Sequence, residues 1–256
     1  MLVDVHCHLN FKDFDEDRDA VVKRAEKLNM TVVDSATNME DAKRSLEISR
    51  KYNIVKSSLG LYPLHAIKLN EKQLDEEINF IKKNKDNIIA IGEIGLDKSS
   101  EDFNHSDEVH LDKQVEVFKR VLALAEKIKK PVVIHSRKAE KECIDILETF
   151  KIKNIDMHCF GGNFKLVKRI QDNGWIFSIP TNIVRLFHFQ KIVEQTSISQ
   201  ILTETDSPYL SPFREKRNEP SFVVETIKKI SEIKKLDEEE VKKLIYMNFQ
   251  KNFLKK

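Results

Sequence analysis

The sequence predicts an α/β protein, a (β/α)8 TIM barrel with an extra C-terminal helix. Eight short apolar segments alternate along the chain with segments in which apolar residues recur at helical spacing. The 256 residues contain no linker-like stretch, so we expect residues 1–256 to form a single domain. An open, doubly wound sheet is the structural alternative to the closed barrel.

The first half of the chain supplies four of these strands. The first is short, contains the β-branched Val3 and Val5, and ends near His6. A helix is predicted over 15–28, where Val21, Val22 and Ala25 recur among charged residues. By the same reasoning we expect strands at 31–35, 54–59 and 88–93, and helices at 39–51 and 74–81.

The second half repeats the alternation after a polar stretch at 98–108. A long helix is predicted over 109–128. Strands are then expected at 131–135, 154–158, 175–179 and 201–204, with helices at 139–150, 164–171 and 186–195 between them. Two helices, at 222–233 and 237–253, complete the chain.

The composition is that of a globular protein with a heavily charged surface, since 40% of the residues are hydrophobic and 34% are charged. The formal net charge is only +2, which argues against a protein that coats nucleic acid generally but permits a local basic patch. Three widely spaced cysteines give no disulfide framework. With no signal-like or membrane-spanning stretch, we expect a cytoplasmic protein that does not engage a membrane.

Residues capable of binding a metal recur at the ends of five predicted strands. They are two histidines after the first strand and four further residues at later strand ends: His6, His8, Glu93, His135, His158 and Asp206. In a parallel barrel all these positions surround one mouth. Any one of them alone could be an ordinary polar residue, but six on one rim predict a metal centre.

Six ligands exceed what a single four-coordinate zinc with an open position needs. They suit two divalent ions, of Mg, Mn or Zn, about 3.5–4 Å apart that share a carboxylate. Such a pair can acidify a water and stabilise both the attacking and the leaving oxygen of an ester. Asp206 can bind a metal and also accept the proton of the attacking water.

Several local sequences together resemble the TatD family of metal-dependent deoxyribonucleases, within the amidohydrolase-like barrels. The similar motifs extend over essentially the whole chain: DVHCHL at 4–9, GEIGLD at 92–97, VIHSR at 133–137, HCFGG at 158–162, ETDSP at 204–208 and RNEP at 217–220. Any one of these motifs is weak evidence, whereas the set in this order is specific.

The resemblance implies that His6, His8 and Asp206 bind the first metal, and that His135 and His158 bind the second. Glu93 would bridge the two ions and, with Asp206, carry the catalysis. The implied reaction is hydrolysis of phosphodiester bonds in DNA, in the 3′-to-5′ direction from single-stranded ends. Asp97 is expected to orient a ligand or to cap its loop.

The candidate substrate-binding residues are Arg137, Arg217, Lys165 and Tyr62. Guanidinium groups bind phosphate oxygens in two-point geometry. The alternative role for these charged residues is ordinary surface charge or an ion pair, an alternative that weighs more for Lys165 than for Arg137. Tyr62 stands where many family members have a histidine, and it could stack on a base or bond a phosphate. Lys98 likewise stands where the family often has an aromatic residue.

Two alternative functions remain open at this point. One is an amidohydrolase acting on a small cyclic amide or a lactone, although many such enzymes bridge their metals with a carboxylated lysine where this chain has Glu93. The other is a metal-stabilised binding protein without turnover, against which the complete set of ligands argues. The sequence leaves the oligomeric state undecided.

Overall fold

The computed structural model describes residues 1–99 and 107–254. In this part of the chain eight strands form one sheet in the order β1 to β8, and every neighbouring pair is parallel. The strands are β1 (Leu2–Cys7), β2 (Met30–Ala36), β3 (Val55–Leu59), β4 (Ile88–Gly95), β5 (Val132–His135), β6 (Ile155–His158), β7 (Ile176–Ile179) and β8 (Ile201–Thr203). The eight predicted strands are therefore confirmed.

Helices alternate with these strands, as the sequence predicts. They are α1 (Arg18–Lys27), α2 (Met39–Lys51), α3 (Pro63–Ala66), α4 (Glu71–Lys83), α5 (Asp107–Ile128), α6 (Glu140–Leu147), α7 (Phe164–Asp172), α8 (Phe187–Gln195), α9 (Val223–Lys234) and α10 (Glu238–Phe249). The short helix α3 has no counterpart among the predictions. Most of the polar stretch at 98–108 lies outside the described residues.

The first and last strands meet, so the sheet curls into a nearly closed barrel. Thr203 Oγ1 donates a hydrogen bond to the carbonyl of Val3 at 2.6 Å. Just beyond the strand ends, the backbone N–H of Asp206 donates to the carbonyl of His6 at 2.9 Å. The TIM barrel is confirmed, and the open, doubly wound alternative is wrong.

Apolar side chains fill the space between the strands and the surrounding helices. Val32, Ile91 and Val133 are all at most 1% exposed, as expected for strands covered on both faces. Helix α10 covers the end of the barrel at β8, where the side-chain amide of Asn248 donates to the carbonyls of Ile198 and Ile201. Among the described helices, none is both long and apolar enough to cross a membrane.

Candidate metal centre

The carboxyl ends of β1, β4, β5, β6 and β8 bring all six predicted ligands together at one mouth of the barrel. Their donor atoms form three overlapping sets of three, and within each set the atoms lie within 4.8 Å of one another. The sets are His6, His8 and Glu93; His6, His158 and Asp206; and Glu93, His135 and His158. Each ligand shares a set with residues from other strands, so the barrel itself assembles the site.

The two histidines of β1 are oriented by one residue of β2. His8 Nδ1 lies 2.9 Å from the carbonyl oxygen of Ser35, and His6 Nδ1 lies 3.2 Å from the Ser35 hydroxyl. A carbonyl only accepts, so His8 Nδ1 carries the hydrogen and the lone pair of the neutral ring is on Nε2. The two Nε2 atoms then lie 3.2 Å apart and face the same space.

The other two histidines are held by carboxylates, and they present different ring nitrogens. His158 Nδ1 donates to Glu204 at 2.7 Å, which directs Nε2 toward the mouth. His135 instead donates through Nε2 to Asp97 at 2.9 Å, so that its Nδ1 faces Glu93. Buried carboxylates of this kind fix both the ring orientation and the tautomer of a ligating histidine.

Glu93 lies between the two groups of histidines. Its Oε2 is 3.6 Å from His6 Nε2 and 3.7 Å from His8 Nε2, while its Oε1 is 2.6 Å from His135 Nδ1. Asp206 lies beside the first group, with its Oδ1 3.3 Å from His8 Nε2. The two oxygens of Glu93 therefore face different histidines.

Two glycines allow the backbones around Glu93 to approach this closely. Gly95 has a φ of 144°, and a Cβ there would lie 1.9 Å from the carbonyl oxygen of His135. A Cβ on Gly60 would lie 2.3 Å from the carbonyl oxygen of Glu93. A side chain on Gly95 would push apart the strand ends that carry Glu93 and His135. A side chain on Gly60 would displace the backbone of Glu93 itself.

Burial and mutual charge set the protonation of the centre. Burial, together with the neighbouring His158 ring, lowers the pKa of His6 to about 4. Burial also opposes charge on His8, but its hydrogen bond to Asp206 and the charge of Glu93 raise its pKa to about 9. Burial would raise the pKa of Glu93, yet the charge of His135 holds it well below its usual value.

The pKa of Asp206 is also lowered, because its hydrogen bond to His8 and the charge of His158 outweigh burial. Both carboxylates are therefore ionised at neutral pH. Imidazole nitrogens and carboxylate oxygens directed at one small space are a donor set that divalent metals accept. The two carboxylates favour positive charge in this space: despite burial, they and Glu204 raise the pKa of His8 to about 9 and that of His158 to about 10, so the residues present fit a cation site.

Five of the six predicted ligands, all but His6, line a cavity of about 520 Å³ that opens at the barrel mouth. Two of the four predicted substrate-binding residues, Arg137 and Tyr62, also line it. Arg137 is exposed, and no carboxylate of the described residues lies within ion-pair distance of its guanidinium. The Tyr62 hydroxyl donates to Asp97 at 2.5 Å, so this group is engaged within the protein and the ring edge faces His135.

The structure does not bring the other two predicted substrate-binding residues to this cavity. Arg217 Nη2 donates to both carboxylate oxygens of Asp17, at 2.7 and 2.9 Å, and the guanidinium lies over the ring of Phe14. Lys165 is exposed in the first turn of α7 and is not among the lining residues. The guanidinium of Arg217 is thus engaged by Asp17 and by the carbonyl of Asp13, away from the cavity.

Several residues that support the predicted ligands were not predicted from the sequence. Glu204 and Ser35 hold three of the four histidines, and Asn218 fixes the loop after Asp206 by donating to the carbonyls of Thr205 and Tyr209. Glu204 was visible as the first residue of the ETDSP motif, but nothing in the sequence pairs it with His158. Asp97 both orients His135 and accepts the backbone N–H of Ser99, which confirms the role expected for it.

A parallel barrel with histidines and carboxylates converging at its carboxyl-terminal mouth defines a metal-dependent hydrolase. Residues 3–254 match the family described as TatD related DNase, and the chain belongs to this family. A metal-dependent hydrolase of Methanocaldococcus jannaschii is 39% identical over 251 residues, which cover 98% of this chain and 96% of that protein.

Other relatives agree with this assignment. The human protein named deoxyribonuclease TATDN3 is 33% identical over 262 residues, covering 99% of this chain and 95% of its own length. Among solved structures, the Escherichia coli TatD homologue YJJV superposes with a TM-score of 0.89 at 22% identity, covering 100% of this chain and 98% of that one. This likeness supports the barrel fold.

Proposed function

We propose that the chain is a two-metal phosphodiesterase that removes nucleotides from the 3′ end of single-stranded DNA. The observation that carries the two-metal part is the position of Glu93, whose Oε1 faces His135 while its Oε2 faces His6 and His8. A carboxylate that turns its two oxygens toward separate histidines is suited to bridging two ions.

In this proposal His6, His8 and Asp206 hold one ion, His135 and His158 hold the other, and Glu93 binds both. The donor set is compatible with Mg, Mn or Zn, because affinity and supply decide which of these ions is loaded. Two such ions would supply an acidified water and positive charge at the phosphate oxygens. The protein provides the geometry for this chemistry through the orienting contacts of Ser35, Asp97 and Glu204.

Asp206 is the proton acceptor of the proposed reaction. Its side chain is 15% exposed and lines the cavity, so it can reach a water there, and its lowered pKa keeps it ionised at neutral pH. Glu93 is 5% exposed and is surrounded by histidines, which suits a ligand better than a proton carrier. The base and the bridge are therefore different carboxylates.

Arg137 is the proposed phosphate-binding residue. It lines the cavity with its guanidinium unpaired among the described carboxylates, and a guanidinium binds two phosphate oxygens at once. The ring of Tyr62 lines the same cavity and offers a face on which the terminal base can stack. The DNase family match and the name of the human relative support DNA as the polymer.

The test is digestion of oligonucleotides labelled at the 5′ end by purified protein with Mg²⁺ or Mn²⁺. We expect a ladder that shortens from the 3′ end, with a single strand cut faster than a duplex. Glu93→Gln should abolish shortening, whereas Glu76→Gln, the same change on an exposed residue of α4, should not. Cleavage that begins within the strand would contradict the 3′-end mode.

Metal analysis tests the number of ions separately. We expect two ions per wild-type chain and one in His135→Ala, because His6, His8 and Asp206 remain in that variant. A wild-type content of one ion would reject the two-metal arrangement. Hydrolysis of small cyclic amides or lactones without any action on oligonucleotides would favour the amidohydrolase alternative.

A further inference from the structure

Exposed apolar side chains are concentrated at the mouth of the barrel. Among the described residues, nine large hydrophobic side chains are exposed, and five of these lie where the chain leaves β6, β7 and β8. We call these five residues the mouth strip: Phe164, Leu186, Phe187, Tyr209 and Phe213. Phe187 is the most exposed at 67%, and Tyr209 follows at 55%.

The three segments that carry the mouth strip are fastened to one another. The ring of Phe164 lies 5.5 Å from that of His188, whose Nε2 in turn bonds the carbonyl of Phe160 at 3.1 Å. Arg185 Nη1 donates to the carbonyl of Pro212 at 3.2 Å. The mouth strip is therefore a surface held by neighbouring loops and not a set of isolated side chains.

The mouth strip is continuous with the metal centre through Tyr209. This residue lines the cavity, its ring lies 6.4 Å from that of Phe11, and its backbone N–H donates to the carbonyl of Asp206. Phe11 in turn stacks on the ligand His8 at 4.4 Å. A polymer that leaves the cavity on the side of Tyr209 therefore passes rings that face solvent.

Positive charge accompanies the exposed rings. Lys191 Nζ, which also pairs with Glu194, lies 5.2 Å from the centre of the Phe187 ring, and Lys216 Nζ lies 5.4 Å from that of Phe213. Lys165 and Arg214 are exposed beside Phe164 and Phe213 in the sequence. Rings for bases and cations for phosphates are the combination by which proteins bind single-stranded nucleic acid without reading its sequence.

We propose that the mouth strip binds the unpaired bases of a single DNA strand on the 5′ side of the bond that is cut. This inference rests on the proposed function, since a strand whose 3′ end occupies the cavity leaves it toward its 5′ side. Bases within a duplex are already stacked and paired, so they present no free face to Phe187. The mouth strip thereby gives the enzyme its preference for single strands.

Phe187→Ala tests the mouth strip, because this ring is two-thirds exposed and its loss leaves the core intact. Binding is measured by fluorescence anisotropy in an Asp206→Asn background with Mg²⁺, so that the probe stays whole. The probes are a labelled oligothymidylate of about 12 nucleotides and a labelled thymidine dinucleotide. We expect Phe187→Ala to raise the dissociation constant of the longer probe by at least about 5-fold. The dissociation constant of the dinucleotide should change less, so the two probes should bind with more similar affinities.

Two further variants make the result specific. Phe187→Trp keeps an aromatic face and should bind the longer probe at least as well as the parent. Met247→Ala removes a side chain of similar exposure on α10 and should leave both dissociation constants unchanged. Equal binding by the Phe187→Ala variant and its parent would overturn the proposal. The exposed rings would then be better explained as a surface that binds another protein.

The wild-type protein is assayed for strand shortening in parallel, which separates the two proposals. Shortening of DNA with no dependence of binding on Phe187 would overturn the mouth strip alone. Phe187-dependent binding without any shortening would support the mouth strip as a DNA-binding surface and overturn the proposed reaction.

Discussion

Asp97 accepts a hydrogen bond from Nε2 of His135 at 2.9 Å, and this contact decides which ring nitrogen of His135 faces Glu93. The carboxylate is fully buried and also accepts from the Tyr62 hydroxyl and the Ser99 N–H. Although burial would raise its pKa, the hydrogen bond from His135 holds the pKa of Asp97 below its usual range. Asp97 therefore stays ionised and keeps Nδ1, the nitrogen available to a metal, facing Glu93.

Replacing Asp97 with Asn should weaken metal binding at the His135 side of the centre. The neutral amide accepts less strongly and can turn its NH₂ group toward Nε2, which favours the wrong tautomer of His135. We expect metal affinity to fall by about 10–100-fold, the usual effect of losing a partner that orients a ligand. Titration of metal-free protein with Mn²⁺ measures this change.

Asp86→Asn is the matched control for that variant, because Asp86 is exposed and remote from the mouth. Tyr62→Phe removes only one donor to Asp97 and should have a smaller effect than Asp97→Asn. If Asp97→Asn binds two ions with unchanged affinity, Asp97 does not orient His135.

Glu204 should also be sensitive to the corresponding amide substitution, because both of its oxygens accept hydrogen bonds. Oε2 accepts from His158 Nδ1 at 2.7 Å, and Oε1 accepts from the backbone N–H of Cys159 at 3.0 Å. A glutamine has one acceptor oxygen, so Glu204→Gln must place a donor against a donor at one of these contacts. We expect a loss of at least about 10-fold in metal affinity.

The double variant Asp97→Asn/Glu204→Gln refines this prediction. If His135 and His158 bind the same ion, the two losses should not add, because both substitutions then act on coupled ligands of one ion. Simple additivity of the two losses would instead place the two histidines on different ions. The metal content of each protein is measured alongside the affinities.

The shared location of the six candidate ligands could be predicted from the sequence, whereas their orientation could not. A barrel collects the carboxyl ends of its strands at one mouth, so a histidine at the end of β6 and an aspartate after β8 must be neighbours there. The partner that orients each ring depends on side-chain reach across strands. His158 finds Glu204 at a separation of 46 residues, and no local spacing encodes that contact.

Arg217 likewise has a contact that could not be predicted from the sequence. Its residue type and its place in the RNEP motif suggested a phosphate-binding group, but Asp17 lies 200 residues away in the sequence and pairs with it. Arg137 follows β5 directly, so its place at the mouth was determined by the strand order. Residues attached to strand ends were predictable, whereas residues on later loops required the folded structure.

The stability of the metal-free protein should depend on pH through Asp34. This carboxyl is fully buried, Asn10 donates to its Oδ1, and Oδ2 has no partner among the described residues. Burial raises the pKa of Asp34 to about 6 from 3.8. The folded state therefore binds this proton more tightly than the unfolded state does, and stability falls as the pH rises from about 4 to 6.

The size of the loss follows from the difference between the two pKa values, which corresponds to about 3 kcal/mol. Asp34→Asn cannot ionise, so its free energy of unfolding minus that of the wild type should rise by about this amount between about pH 3 and 8. Denaturant unfolding of both chelated proteins across this range measures the difference. A difference that stays constant with pH would show that Asp34 does not titrate in this range.

The two arginines of the predicted substrate site should behave differently when each is replaced with alanine. Arg137→Ala removes an unpaired guanidinium from the cavity, and we expect the KM for an oligonucleotide to rise by about 10-fold, the value of a hydrogen bond to a charged group. Arg217→Ala breaks the pair with Asp17, so its main effect should be on stability. Because both members are partly exposed, the free energy of unfolding should fall by only about 0.5–1 kcal/mol.

A double-mutant cycle decides whether Arg217 acts through Asp17. If the pair is structural, Asp17→Ala should destabilise the protein by a similar amount, and Asp17→Ala/Arg217→Ala should cost less than the sum of the two. The KM of each of these variants should stay within about 3-fold of wild type, since such a change corresponds to less than 1 kcal/mol. A rise in KM for Arg217→Ala as large as that for Arg137→Ala would mean that the substrate phosphate draws Arg217 away from Asp17, which would restore its role as a phosphate-binding residue.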